Sequence, residues 1–123
     1  MEFGELSNKV IGCAIEVHRT LGPGLLESTY EQCLAREMDL SGIAFKLQSP
    51  LPVEYKGIKL DCGYRIDMLV EDKLIVELKS VEKILPIHEA QILTYMKLAN
   101  TQVGLLINFN VERLKEGLRR FVL

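Results

Sequence analysis

The sequence predicts an α/β fold in which helices flank a central mixed β-sheet, with the element order ααβββαβαβ. Three observations carry this prediction. Helical periodicity dominates residues 1–40, strand-like apolar runs follow in the middle of the chain and again after residue 102, and one further helical segment separates those runs. The 123 residues, 48% hydrophobic and 26% charged, are expected to form a single domain, 1–123, with its own core.

Two helices come first. Apolar side chains recur at helical spacing over residues 6–21. The glycines and proline of residues 22–24 are typical of a helix end. A second helix is predicted from about residue 25 to residue 40, where Ser41 and Gly42 close it.

The middle of the chain predicts strands. Apolar and polar side chains alternate over residues 43–47, and Pro50 and Pro52 then favour an edge position or a bulge. Residues 53–55 are expected to resume this strand before a turn at residues 56–57. Two further strands, over residues 65–70 and 74–79, are separated by a short hairpin loop.

The last third of the chain predicts one helix, then a strand, a short helix and a final strand. The helix covers residues 86–100, with Pro86 suited to its first turn. The strand covers residues 102–109, and the last two elements cover residues 111–117 and 118–123.

The hairpin around residues 71–73 gathers the polar side chains of interest. A three-residue loop sets a register in which Asp67 lies opposite Glu77. Opposite residues of an antiparallel pair share a face, with Cβ atoms about 4.5–5.5 Å apart. Lys79 is two residues beyond Glu77 and points the same way. The other face is wholly apolar and is expected to be the core side: Ile66, Met68, Val70, Leu74, Val76 and Leu78.

Two carboxylates facing each other repel unless something compensates their charge. A divalent cation is a natural compensator, because Mg²⁺ binds one or two carboxylates together with waters and substrate phosphate. The alternative is a surface ion pair, Glu77 with Lys79 or Asp67 with Arg65, which contributes little to stability. Spacing alone leaves both interpretations open.

The net charge does not indicate a nucleic-acid-binding protein, because 15 basic and 17 acidic side chains give a value of −2. Any basic surface must therefore be local. Two groups are candidates, one around the predicted hairpin and one near the C-terminus: Lys56, Lys59 and Arg65, and Arg113, Lys115, Arg119 and Arg120.

The remaining composition predicts a cytoplasmic protein. Cys13, Cys33 and Cys62 are odd in number and widely spaced, which excludes complete pairing within the chain and matches no zinc or iron–sulfur pattern. The acidic N-terminus lacks the features of a secretory signal, and no apolar run is long enough for a membrane span, so no membrane partner is expected.

Two of these patterns resemble a nuclease family. Asp67 with the strand residues Glu77, Leu78 and Lys79 resembles the D…(D/E)-x-K signature of PD-(D/E)XK nucleases, although Ile66 stands where the usual proline would be. On the following helix, Gln91 and Tyr95 resemble the Q-x-x-x-Y element of the RecB-type branch. Helical geometry turns this Gln–Tyr stripe inward, toward the sheet.

A third pattern is more specific. Residues 24–30 look like the motif that names the GxxExxY family, a small-protein branch of the same superfamily, with Gly24, Glu27 and Tyr30 at the named positions. The flanking residues 18–24 and 52–57 also resemble that family, so the resemblance covers nearly the whole chain.

The resemblance implies a restriction-endonuclease-like core and a metal-dependent nuclease. Asp67 and Glu77 would bind Mg²⁺, for which Mn²⁺ can substitute, with the carbonyl of Leu78 and with Glu27 completing the acidic site. Lys79 would position or activate water, and Gln91 would orient the substrate. Three residues are expected to support the site rather than carry the chemistry: Tyr95, His18 and Tyr30.

The implied substrate is DNA or RNA, without a choice between them. A chain of this length with no separate recognition domain is expected to rely on a homodimer or on a targeting partner protein. The alternative function is a catalytically silent nucleic-acid or protein-interaction module on the same fold. The complete set of acids and lysine disfavours that alternative, and hydrolysis of another phosphate ester is the third option.

Overall fold

The computed structural model describes residues 3–123. Its elements follow one another as α1 (Phe3–Leu21), α2 (Glu27–Leu40), β1 (Phe45–Pro50), β2 (Val53–Tyr55), β3 (Ile58–Leu60), β4 (Arg65–Val70), β5 (Leu74–Lys79), α3 (Pro86–Ala99), β6 (Val103–Asn108), a 3₁₀ turn (Leu114–Gly117) and β7 (Leu118–Val122). The predicted α/β fold, a mixed sheet flanked by helices, is confirmed. No helix in the described part of the chain combines the length and apolarity needed to cross a membrane.

The central sheet has the strand order β1-β4-β5-β6-β7. Only β5 and β6 run parallel, because α3 carries the chain back across the sheet between them, and the other neighbouring pairs are antiparallel. The expected edge position of the proline-containing strand is confirmed, since β1 lies at one edge. The central strands β5 and β6 consist almost entirely of buried residues.

Two local predictions were wrong. Residues 53–55 do not resume β1 but pair with β3 in a separate two-stranded hairpin. Its turn uses Lys56 and Gly57, both with positive φ, as the favoured two-residue hairpin turn requires. The expected short helix over 111–117 is reduced to the 3₁₀ turn at its end.

Both faces of the sheet are packed, whereas the sequence predicted only one apolar face. One face packs against α1 and α2, where Tyr30, Leu34 and Met38 are fully buried. The other face packs against α3, which covers Ile75 and Leu106. The polar side chains of the β4–β5 hairpin therefore lie at the margin of a second core.

Ile66 was assigned to the wrong face. It lies in the cluster beneath α3 with Ile75, not with Met68 on the face of α1 and α2. Paired backbone bridges join β4 and β5 only as far as Met68. Strict alternation of faces holds only along a regularly paired strand, and it fails where this pairing lapses.

The 3₁₀ turn is closely packed against the end of β6. A Cβ atom at Gly117 would lie 2.1 Å from the carbonyl oxygen of Asn108, whereas one at Gly12 on α1 would meet nothing within 4 Å. Gly117 therefore permits a backbone contact that no other residue can make without a shift.

We expect Gly117→Ala to destabilise the protein by roughly 2–4 kcal/mol, because backbone atoms must move to admit the methyl group. The matched variant Gly12→Ala should be neutral or up to about 1 kcal/mol more stable, because alanine favours an exposed helix. Denaturant unfolding of both variants measures these differences. Equal stabilities would contradict the close packing of the 3₁₀ turn.

Candidate active site

The side chains of Asp67 and Glu77 each accept a backbone N–H from the opposite strand. The predicted register is confirmed, since Val70 pairs with Leu74. At Asp67 and Glu77 the side chains replace the regular ladder. The Asp67 N–H donates to Glu77 Oε2 at 2.9 Å, and the Leu78 N–H donates to Asp67 Oδ2 at 2.9 Å. One oxygen of each carboxylate is thereby fixed, and the other, Oδ1 or Oε1, is left for further contacts.

Glu77 is buried although it carries a carboxyl group. Its side chain is only 5% exposed, because α3 and β6 cover this end of β5. Burial, followed by the charge of Asp67, raises the pKa of Glu77 to about 8. The hydrogen bond from the Asp67 N–H and the ammonium of half-buried Lys79 oppose this rise. The pair therefore lacks enough positive charge of its own to keep both acids ionised at neutral pH.

Gln48 and Glu31 belong to the site, and sequence analysis missed both. Gln48 Nε2 donates to Glu31 Oε1 at 2.8 Å and to Asp67 Oδ1 at 3.3 Å. Gln48 has a left-handed backbone, with φ of 50°, at the position of β1 that faces Asp67. Burial, with the charges of Asp67 and Glu27, raises the pKa of Glu31. The spacing of Glu27 and Glu31 could have indicated Glu31, since residues four apart share a helix face.

Glu27 lies at the first position of α2 and is exposed. Its charge contributes to the raised pKa of Glu31 and of Glu77, so it lies within electrostatic reach of the pair. However, within residues 3–123 no three His, Cys, Asp or Glu side chains are grouped closely enough to hold a metal ion together. Among the described acids of this site, the carboxylates of Asp67 and Glu77 come close together, and Glu27 and Glu31 lie around this pair.

Gln91 and Tyr95 line the α3 side of the site. Gln91 Nε2 donates to the Tyr95 hydroxyl at 3.2 Å. Tyr95 is buried as predicted, but the predicted inward position was wrong for Gln91, which is exposed one turn earlier on α3. The pKa of Tyr95 is raised, first by burial and also by the charges of Glu77 and Asp67. The charges of both carboxylates therefore reach the Tyr95 hydroxyl.

His18 and Tyr30 lie behind the site and make backbone contacts. His18 Nε2 is 2.8 Å from the carbonyl oxygen of Val111, to which it donates. The Tyr30 hydroxyl donates to the Gly22 carbonyl oxygen at 2.6 Å, and the Tyr30 ring stacks on Phe109 with centroids 4.4 Å apart. These contacts hold the start of α2, and with it Glu27 and Glu31, against the segment after β6.

The chain beyond Lys79 is held by two residues that sequence analysis did not select. Ser80 Oγ donates to the Leu25 carbonyl oxygen at 2.6 Å, which joins the end of β5 to the start of α2. Buried Asn108, beside Lys79 in the parallel register, bonds both backbone groups of Val81. Lys79 is thus anchored by backbone contacts on either side.

The donor chemistry of the pair fits a small divalent cation. Asp67 and Glu77 offer carboxylate oxygens, which are the hard ligands that Mg²⁺ prefers. Two carboxylates suffice, because Mg²⁺ commonly keeps several waters and needs no all-protein cage. The raised pKa of Glu77 marks a place where added positive charge would stabilise the ionised form.

Comparison with known proteins identifies one family whose model matches this chain. The model of a family described as the PD-(D/E)XK nuclease superfamily matches residues 4–121, and the chain therefore belongs to that superfamily. Searches of curated proteins and of solved structures gave no significant match.

The raised pKa of Glu77 predicts a pH-dependent stability of the metal-free protein. In the unfolded chain a glutamate titrates near pH 4.3, whereas the folded pKa of Glu77 is about 8. Between these values the folded state holds the extra proton, so stability falls as pH rises from about 5 to about 8. The loss should amount to a few kcal/mol, since one pKa unit corresponds to about 1.4 kcal/mol.

Glu77→Gln should remove most of this slope and leave the part that comes from Glu31, whose pKa is also raised. Denaturant unfolding in chelator at several pH values makes the measurement. Glu112→Gln, at an exposed acid, is the control and should keep the wild-type slope. An identical slope in wild type and Glu77→Gln would show that Glu77 is not the buried acid described above.

Proposed function

We propose that this member of the PD-(D/E)XK nuclease superfamily is a metal-dependent nuclease that hydrolyses phosphodiester bonds of nucleic acid. The observation that carries the proposal is the pair Asp67 and Glu77, each bonded to the backbone of the other's strand, with Lys79 two residues beyond Glu77 on β5 and its charge acting on Glu77. Nucleases of this superfamily usually use divalent metal ions. The pair and the lysine supply the charges that such chemistry needs.

Asp67, Glu77 and the carbonyl oxygen of Leu78 would hold Mg²⁺ or Mn²⁺. Glu27 and Glu31 would add negative charge around this centre, as direct or outer ligands, from one face of α2. A bound divalent cation polarises a phosphoryl oxygen and lowers the pKa of water that it coordinates. The backbone N–H groups of Asp67 and Leu78 hold both carboxylates in place before the substrate arrives.

Lys79 would orient the attacking water and stabilise the negative charge that develops on the phosphate. Its backbone is anchored on one side by the pairing with β6 and beyond it by Ser80 and Asn108. Gln91, exposed at the edge of the site, would orient the substrate through its amide, and the Tyr95 hydroxyl holds that amide. His18 and Tyr30 would position α2 and carry no chemistry.

Within the superfamily we assign the chain to the GxxExxY branch, on the strength of Gly24, Glu27 and Tyr30. The hydrogen bonds of Tyr30 across the start of α2 support a role for this motif in positioning Glu27. The cytoplasm is the proposed location, since an exposed free thiol such as Cys62 persists in a reducing compartment. A homodimer or a partner protein would supply targeting.

One observation favours the second candidate, a catalytically silent nucleic-acid or protein-interaction module. In the described part of the chain the acidic side chains converge only as a pair. A silent module would keep the fold and its surface without turnover. Activity measurements separate the two functions directly.

We expect wild type to cleave labelled single-stranded or double-stranded DNA or RNA in Mg²⁺ or Mn²⁺, and not in chelator. Lys79→Ala should lower the rate at least about 100-fold, because it removes the charge that orients water and stabilises the transition state. Lys97→Ala, at an exposed lysine of α3, is the matched control and should keep wild-type activity. Equal activity in all three proteins would reveal a contaminating nuclease, and no cleavage of any substrate would favour the silent module.

A further inference from the structure

A groove adjoins the candidate active site on the outer side of α3. Its volume is about 520 Å³, and it lies between α3 and the segment that carries the β2–β3 hairpin. Residues from both sides line it, including Val53, Tyr64, Ile87, His88, Gln91 and Tyr95. The groove shares Gln91 and Tyr95 with the candidate site. A ligand bound in the groove would therefore lie next to the proposed site of phosphodiester cleavage.

The walls of the groove suit a flat aromatic ligand. Tyr64 is 45% exposed, and its ring meets that of Tyr95 edge to face, with centroids 6.1 Å apart. Ile87 is 68% exposed on the α3 side. Exposed tyrosine faces next to a nucleic-acid site are stacking platforms for bases, because every base has a π-face.

The rim of the groove can bond the edge of a base. The Leu85 N–H donates to His88 Nδ1 at 3.0 Å, so Nδ1 acts as an acceptor and the neutral ring carries its proton on Nε2. His88, which lines the groove, therefore has Nε2 as its donor when the ring is neutral, and Thr94, also in the lining, has a hydroxyl that both donates and accepts.

The segment on the hairpin side of the groove carries a small excess of positive charge. Lys56 and Lys59 lie in or beside the hairpin and Arg65 follows Tyr64, which gives three positive charges on this segment. Two acids, Glu54 and Asp61, lie on the same segment. The segment 53–65 thus has a net charge of +1, whereas the whole chain has a net charge of −2.

We propose that this groove binds an unpaired base of a nucleic-acid strand, stacked on Tyr64, beside the phosphodiester held at Asp67 and Glu77. The inference rests on the proposed function and names its substrate class as single-stranded nucleic acid. A base inside a duplex stacks on its neighbours through both faces and cannot stack on Tyr64 at the same time.

The test measures binding of a single-stranded oligonucleotide that contains 2-aminopurine, whose fluorescence reports stacking. Every protein in this test is the full chain, carries Glu77→Gln and is kept in chelator. Together the substitution and the chelator reduce the negative charge of the site and prevent cleavage of the oligonucleotide. Tyr64→Leu, which keeps an apolar side chain but removes the aromatic face, should weaken binding roughly 5- to 100-fold and abolish the fluorescence change. Tyr64→Phe keeps the ring and should behave as the parent, and fully paired duplex should respond to neither change.

Thermal melts establish that the Tyr64 variants are folded, as expected for a half-exposed side chain. Unchanged single-strand affinity in folded Tyr64→Leu would overturn the base site, whether or not wild type cleaves nucleic acid. Equal losses for duplex and single strand would also overturn it. If neither single strand nor duplex binds, this inference is overturned. If the wild type does not cleave nucleic acid in the presence of metal, only the nuclease proposal is overturned.

Discussion

The exchange of contacts between Asp67 and Glu77 determines the form of the site. Each carboxylate accepts a backbone N–H from the opposite strand, so the residues that interrupt the sheet also satisfy its donors. This arrangement brings two acids together where Coulomb repulsion would otherwise separate them. Gln48, on the edge strand β1, is part of the same site, because its amide donates hydrogen bonds to Asp67 and Glu31. The same contacts therefore interrupt the β4–β5 ladder and bring the acids together.

Burial changes the acid–base behaviour of Glu77 in this pair. The α3 helix covers the sheet beside Glu77, so the second core that surrounds Ile75 also removes water from the acid. The pKa of Glu77 rises for this reason first, and because of Asp67 second. Ionising both acids of this pair is therefore unfavourable, and the proposed cation would offset that cost. Functional sites commonly retain such locally unfavourable charge.

Much of the central hairpin could be predicted, since loop length and alternation together set the register that places Asp67 opposite Glu77. The inward position of Tyr95 followed from helical spacing in the same way. Gln48 could not be predicted, because its left-handed backbone depends on tertiary contacts of β1. The face of Ile66 was missed because alternation assumes unbroken pairing. Glu31 was missed although its spacing from Glu27 indicated it.

Asp67 and Glu77 are proposed to bind a divalent cation together. Crystals of the protein grown or soaked in Mn²⁺, measured by anomalous diffraction, test it directly because the scattering locates the ion itself. We expect one strong peak in contact with a carboxylate oxygen of Asp67 and of Glu77, and we expect Glu77→Gln to abolish it. A peak elsewhere on the protein, or none between these two side chains at saturating Mn²⁺, would contradict it.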